Sequence, residues 1–232
     1  MKKIGIIGAM EEEVNIIKNL MQNAAIKTVA SMDFYEGTIE GKQVVVVRSG
    51  IGKVNAAICT QILADLYAVD LVINTGVAGS LRSEIEITDI VLSTDALQHD
   101  MDVSGFGYDI GVIPRMERSA FLAQEELITA AKEICRKRLP EVGVHVGRVV
   151  SGDQFISDSR KKEWLLQTFG GYCTEMEGAA IAQAAYLNHL PFLIIRAISD
   201  KADHSAEMNY QEFEKIAINN TVKLVKGLIA SV

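Results

Sequence analysis

The stretch Glu175-Met176-Glu177 sets two carboxylates around a methionine, at the mouth of the apolar run GAAIAQAAY. One acid there can cap a helix; two invite a chemical role. Other acids stand in comparable settings. Glu11, Glu12 and Glu13 follow the short apolar run KIGIIGAM, and Asp200 closes the run PFLIIRAIS. Carboxylates do general acid and base work when burial and neighbours set their pKa values apart. Each also has an ordinary reading. Acids in a first helical turn favour the helix dipole, which accounts for one or two of residues 11–13. Alone, that segment reads as structural sooner than catalytic. Asp200 fits an N-cap or loop acid as well as a functional group, although its place after so apolar a run favours function. Of Glu175 and Glu177, one can cap while the other works.

The elements that must position these acids follow from periodicity. KIGIIGAM is a short buried strand, and EEEVNIIKNLM carries Val14, Ile17 and Met21 at helical spacing. MDFYEGTIEGKQVVVVRSG reads as a hairpin turning at Glu40-Gly41. GKVNAAICTQILADLY is a helix with small residues on its buried face, and VDLVINTG is a strand ending in the Gly-rich TGVAGS. TDIVLSTDAL is a strand, AQEELITAAKEICRKRL a helix, and GVHVGRVVSGDQFI a strand running into a loop. LPFLIIRAISD is the last strand, and a C-terminal helix runs roughly through NYQEFEKIAINNTVKLVKGLI. Strands alternating with helices, several of them continuous apolar runs, predict an α/β fold with a central sheet buried on both faces. The hairpin makes that sheet mixed. The expectation is a single domain over residues 1–232, a central mixed β-sheet flanked by helices.

Ligands in such sheets sit at the carboxyl ends of strands. The residues expected there are Gly8-Ala9-Met10, Arg48-Ser49-Gly50-Ile51-Gly52, Thr75-Gly76-Val77-Ala78-Gly79, Asp153-Gln154-Phe155-Ile156 and Arg196-Ala197-Ile198-Ser199-Asp200.

Composition removes several function classes. With 232 residues, 49% of them hydrophobic, and only 3 prolines, the chain can build one sizeable core and shows no linker. The net charge of −7, and no basic patch beyond Arg160-Lys161-Lys162, argue against a nucleic-acid partner. Apolar runs are short and punctuated, so no membrane span is expected. The opening MKKIGIIGAMEEE resembles a signal peptide only briefly, because its apolar run is too short and acids follow it. Three cysteines without a CxxC pair fit a reducing cytoplasm. TGVAGS lacks the GxxxxGK[ST] spacing and GIGKVNAA lacks GxGxxG, which disfavours triphosphate and dinucleotide sites. QHDMD places His99 beside Asp100 and Asp102, but the spacing matches no standard metal set, and a solvated loop is the preferred reading. No GxSxG elbow occurs. What remains is carboxylate chemistry.

Taken in order, KIGIIGAMEEEV, SGIGKVNAA, INTGVAG, HDMDVSGFGY, SGDQFI, EMEGAAIAQAA and RAISDKAD resemble the bacterial 5′-methylthioadenosine/S-adenosylhomocysteine nucleosidases of the nucleoside phosphorylase superfamily. The resemblance spans nearly the whole chain. It implies a nucleoside phosphorylase-like fold, hydrolysis of an N-glycosidic bond to give adenine, no metal, no organic cofactor, and a homodimer. It gives Glu13 the activation of water, Asp200 the acid role at the purine, and Glu177 the ribose hydroxyls. Met176 would pack beneath the sugar. Phe155 would lie against adenine, with the Ile156 backbone on its hydrogen-bonding edge. Ser199 would orient Asp200, Arg196 would lie close to the water, and Gly79 would line the substrate site. Met10, Ile51 and Tyr210 would line the sugar and thioether region. Val103 and Phe106 would reach in from the neighbouring subunit. Glu175 would cap or position the segment without being catalytic. Val77 and Tyr210 depart from the Ser and Phe common in the family, which leaves substrate preference open. A phosphorylase on the same fold and a non-catalytic nucleoside-binding module remain as alternatives.

Overall fold

A computed structural model describes residues 2–204 and 206–231, with the side chains of residues 207–212 outside the description. Among the described residues, ten strands and six α-helices form a single-domain α/β fold. The strands are β1 (Lys3–Gly8), β2 (Gln22–Val29), β3 (Met32–Ile39), β4 (Lys42–Arg48), β5 (Leu71–Ser80), β6 (Ile90–Gln98), β7 (Ala120–Leu122), β8 (Val144–Ser151), β9 (Cys173–Glu175) and β10 (Phe192–Asp200). The helices are α1 (Glu11–Asn19), α2 (Lys53–Asp65), α3 (Glu125–Arg138), α4 (Ser159–Phe169), α5 (Gly178–Leu187) and α6 (Ala206–Ser231).

The expected hairpin forms: β3 and β4 pair antiparallel, with Ile39 opposite Lys42. Strand β1 lies parallel between β4 and β5, and β10 lies parallel to β5. The sheet is mixed, because β6 runs antiparallel to β10 and β9 antiparallel to β5. Pairings β5–β10–β6–β8–β9 return to β5 and close a ring, and β1, β4, β3 and β2 extend from it.

Burial explains which strands periodicity reveals. All ten residues of β5 and all nine of β10 are buried, as continuous apolar runs in the middle of a sheet must be. The expected end of β5 at the Gly-rich segment is corrected by the structure. The strand continues through Thr75–Ser80, because those residues keep pairing with β10 as far as Gly79. Edge strand β2 was not expected: its side chains are almost all exposed, so no alternation marks it. Strands β7 and β9 have three residues each, too few for a period.

Two hydrophobic clusters cover the two faces. One joins Val14 and Ile17 of α1, Leu127 and Ala131 of α3, and Leu224 and Leu228 of α6 to one side of the sheet. The other joins Ala56 and Leu63 of α2 and Ala179, Ile181 and Ala185 of α5 to the opposite side. Seven of the ten residues of α5 are buried, and six of those are Gly, Ala or similarly small; small side chains let this helix lie close to both α2 and the sheet. Among the described residues no helix is long and apolar enough to cross a membrane.

His99 is corrected too. It ends up 1% exposed at the end of β6, wedged against Gly152, and not in a solvated loop.

Strand β10 carries both the core and the last acid, so its packing is a direct test of the fold. Ile195 is fully buried between Thr75 and Leu92 on the flanking strands. Ile195→Ala should lower unfolding free energy by about 2–5 kcal/mol in urea titration, the range for truncating a packed aliphatic side chain.

Candidate active site

The carboxyl ends of β1, β5 and β10 meet the loops after β4 and β8 around one cavity of about 380 Å³. Its wall includes Met10, Glu13, Ile51, Gly79, Phe155, Met176, Glu177, Ser199 and Asp200. Each of the five segments expected at strand ends contributes at least one residue to this wall.

Glu13 occupies the third position of α1 and is 3% exposed. Its Oε2 accepts from the amides of Ala9 (2.6 Å) and Met10 (3.0 Å), and its Oε1 from the amide of Val77 (3.1 Å). The carboxyl reaches back over its own helix start, in keeping with the helix-dipole reading of this segment. Burial pushes its pKa up, against the opposing pull of Arg196 and of the three amides. Asp200 is 2% exposed at the end of β10. It accepts from Ser199 Oγ at 2.9 Å and from the Ala202 amide at 2.7 Å. Burial outweighs both donors and raises its pKa from the ordinary aspartate value. A side chain on Gly79 would put its first carbon 2.7 Å from Asp200 Oδ1, so only glycine leaves that oxygen open to the cavity.

Glu177 stands at the N-cap of α5 but does not cap it with its side chain. Oε1 accepts instead from the Gly52 amide at 2.8 Å. Burial first, and the charge of Glu175 second, push Glu177 up to about 8. Glu175 does the capping: its Oε2 accepts from the amides of Glu177 (3.0 Å) and Gly178 (2.8 Å). Glu175 also accepts from Ser151 Oγ and from Arg196 Nη2. Burial pushes the Glu175 carboxyl up, but Arg196 and these donors outweigh it and hold it below its ordinary value.

Arg196 is 2% exposed and lies behind the cavity instead of on its wall. Its Nη2 also donates to Asn74 Oδ1 at 2.6 Å and comes within 3.9 Å of Glu177 Oε2. Asn74 and Ser151 were not singled out from the sequence, and Gly52 was expected only as part of a strand end. Each acts across long chain separations, and no local spacing marks them.

The remaining expected residues divide. Phe155 and Ile51 are half exposed at the cavity mouth. Ile156 is buried beside it, in a small adjoining cleft with Phe155, Met176 and Asp200. Val103 and Phe106 do not line the cavity of their own chain; Phe106 is 85% exposed on the short turn Ser104–Phe106. The side chain of Tyr210 lies outside the described residues. Among the described residues no group of three or more His, Cys, Asp or Glu side chains is arranged to hold a metal ion.

A profile of the phosphorylase superfamily matches residues 3–230. A 5′-methylthioadenosine/S-adenosylhomocysteine nucleosidase of Exiguobacterium sp. is 44% identical over 227 residues, 97% of either chain. The structure of such a nucleosidase from Neisseria meningitidis, in complex with methylthio-immucillin-A, superposes with a TM-score of 0.96 at 39% identity over 100% of both chains. That of a Colwellia psychrerythraea nucleosidase in complex with adenine superposes with a TM-score of 0.94 at 38% identity, covering 98% of this chain and 94% of the other. With a full-length family match, relatives above 40% identity and this fold, the chain belongs to the phosphorylase superfamily and, within it, to the 5′-methylthioadenosine/S-adenosylhomocysteine nucleosidases.

Proposed function

We propose that the protein hydrolyses the N-glycosidic bond of 5′-methylthioadenosine and S-adenosylhomocysteine, and of 5′-deoxyadenosine, releasing adenine and the 5-substituted ribose. The observation that carries this reading is the set of three buried carboxylates, Glu13, Glu177 and Asp200, on one cavity with different partners. Cleaving a C–N ribosyl bond develops positive charge on the sugar and negative charge on the purine. Asp200, whose burial favours its protonated form, would deliver a proton to N7 as the bond breaks. Glu13 takes a proton from water as that water attacks C1′. Glu177 accepts from the ribose hydroxyls. Pushed up to about 8, the Glu177 carboxyl favours its protonated form near neutral pH, contrary to the ionised form that the reaction calls for. Positive charge building on the ribosyl ring favours the Glu177 anion, so once substrate binds in the ionised form of the site its stabilising effect is greatest in the transition state.

Met10, Ile51, Met176 and Phe155 supply an apolar surround for the sugar, thioether and base, with Ser199 orienting Asp200 and Gly79 giving it room. In this reading the Ile156 backbone meets the adenine edge, Tyr210 completes the thioether region, and Arg196 acts from behind, through the acids.

Hydrolysis is favoured over phosphorolysis on electrostatic grounds. No Lys or Arg occurs among the described residues lining the cavity, and a phosphate dianion beside Glu13 would be repelled. A binding module without catalysis has no need of three buried acids. The whole of residues 1–232 would work as one catalytic domain. Three unpaired, buried cysteines support a cytoplasmic setting.

The same proposal includes a homodimer. Val103 and Phe106 sit away from their own cavity, and an aromatic ring so fully exposed is a poor end state for a monomer. They would close the partner's cavity instead. Sedimentation should report a dimer, and Phe106→Ala should raise KM; a fully active monomer would refute the arrangement.

Adenine release from 5′-methylthioadenosine, with and without phosphate, tests the reaction itself: equal rates are expected. Glu13→Gln should abolish turnover while substrate analogues still bind, because an amide cannot take the proton. Asp200→Asn should lower kcat by about 10²–10⁴-fold, the usual worth of a general acid. A 4-nitrophenyl thioriboside, whose leaving group needs no proton, should lose far less. Equal losses on both substrates would remove the acid role from Asp200.

A further inference from the structure

Two segments from distant parts of the chain, 50–53 after β4 and 152–157 after β8, supply Ile51 and Phe155 to the cavity rim, and a third, 99–106 after β6, lies against both of them. A closed set of polar contacts joins them. Asp100 Oδ1 accepts from Lys53 Nζ at 2.6 Å, and Asp100 Oδ2 accepts from the Asp153 amide at 3.0 Å. Asp153 Oδ1 accepts from the Lys53 amide at 2.9 Å, which completes the cycle. Lys53 Nζ also donates to Gln98 Oε1 at 2.9 Å, and Gln98 Nε2 donates to Gln183 Oε1 on α5 at 2.6 Å. The Asp100 and Lys53 side chains are each only 18% exposed, so the ion pair is held away from most solvent.

The cycle ends at the chemistry on two sides. Lys53 follows Gly52, whose amide donates to Glu177 Oε1. Gly52 has φ +96°, a conformation that favours glycine and that the chain adopts here to aim the amide at the carboxyl. Asp153 precedes Phe155 and Ile156 by two and three residues, so the contact that fixes its amide fixes the root of the base-contacting loop. His99, buried against Gly152, packs the same root from behind. Asp102 does not join the cycle; it accepts from the Ser104 amide at 2.9 Å.

We propose that Asp100 is a positioning residue: it locks the loop that aims the Gly52 amide at Glu177 to the loop that carries Phe155 and Ile156, so that sugar and base are held in register. This rests on the nucleosidase reading and gives the QHDMD motif a role in it that is neither metal binding nor direct contact with substrate. Burial pushes the Asp100 carboxyl up, but the Lys53 ammonium and the Asp153 amide outweigh it and hold the pKa below its usual value, so the link is charged at neutral pH. The consequence for Glu177 is electrostatic. Glu175 on β9, Arg196 on β10 and Glu13 on α1 are the other charged groups acting on it, and the Gly52 amide adds a donor that favours its ionised form.

The test compares wild type, Asp100→Asn and Asp100→Ala on 5′-methylthioadenosine from pH 5 to 9, with thermal unfolding measured alongside. Wild type must release adenine; if it does not, the nucleosidase reading fails and the comparison ends there. Given release, Asp100→Ala should lose about 10–100-fold in kcat/KM, as displacements of roughly 1 Å do, with both KM and kcat affected. Its acid limb in kcat/KM should move to higher pH, because a carboxylate that loses an amide donor binds its proton more tightly. Asp100→Asn keeps an acceptor for one of the two partners and should recover part of the loss. If Asp100→Ala does not fold, Asp100→Asn alone decides, by the same shift of the acid limb. Activity within twofold of wild type, or a loss with the acid limb unmoved, would overturn the proposal.

Discussion

The site depends on one buried cation. Arg196 stands at 2% exposure in the middle of β10, with Glu175, Glu177 and Glu13 around it. Three carboxyls beside one guanidinium cannot all be ionised cheaply in a medium that excludes water. The structure resolves the conflict unequally. Glu175 takes the closest contact with Arg196, with Ser151 and two helix amides in support, and is held ionised. Glu13 and Glu177 receive what remains, and both are pushed toward their neutral forms. Removing Arg196 would leave Glu175 buried without its counter-ion, a loss on the order of 3–5 kcal/mol. The residue closest to the cation is therefore the structural acid, and Glu13 and Glu177, left with weaker compensation, remain able to change charge.

Strand geometry makes that division possible. Strand β5 passes between β1 and β10, so the Val77 amide reaches Glu13 while Gly79 lies alongside Asp200. Short strand β9 pairs with both β5 and β8 and delivers Glu175 directly to the start of α5. The helix then opens on small residues, so its first turn lies deep enough for Glu175 to meet two of its free amides. A larger side chain at Gly178 would press on Ile194 and on the Glu175 carboxyl itself.

Much of this was legible in the chain before any coordinates. Strands β5 and β10 announce themselves as unbroken apolar runs, and the hairpin by its turn. The acids at 13, 177 and 200 stand out because each borders an apolar segment. The roles proposed for them came from family resemblance, since spacing alone cannot separate a capping acid from any other; Glu175 and Glu177 are two residues apart, yet only Glu175 caps the helix with its side chain. The ring closure through β9 was invisible because three residues carry no period. The partners Asn74 and Ser151, and the burial of His99, depend on contacts between segments far apart in sequence, which local patterns do not encode. His99 shows the bias most clearly: a histidine among acids looks solvated until the neighbouring strand and a glycine close over it.

The cavity has a floor and a rim of different character. The floor is Glu13, Val77, Glu175, Glu177 and Asp200, all buried, on strands and helix starts whose positions are shared with the core. The rim includes Ile51 and Phe155, both more than half exposed and on loops. Substitutions at exposed positions usually change stability by no more than about 0.5 kcal/mol, whereas those in packed cores cost several times that. Drift in the sequence is therefore unevenly tolerated around one substrate. In the proposed site the exposed rim, which would meet the base and the 5′ substituent, can be rewritten residue by residue in a lineage, while the buried floor, which would break the bond, is held fixed by the same packing that holds the fold.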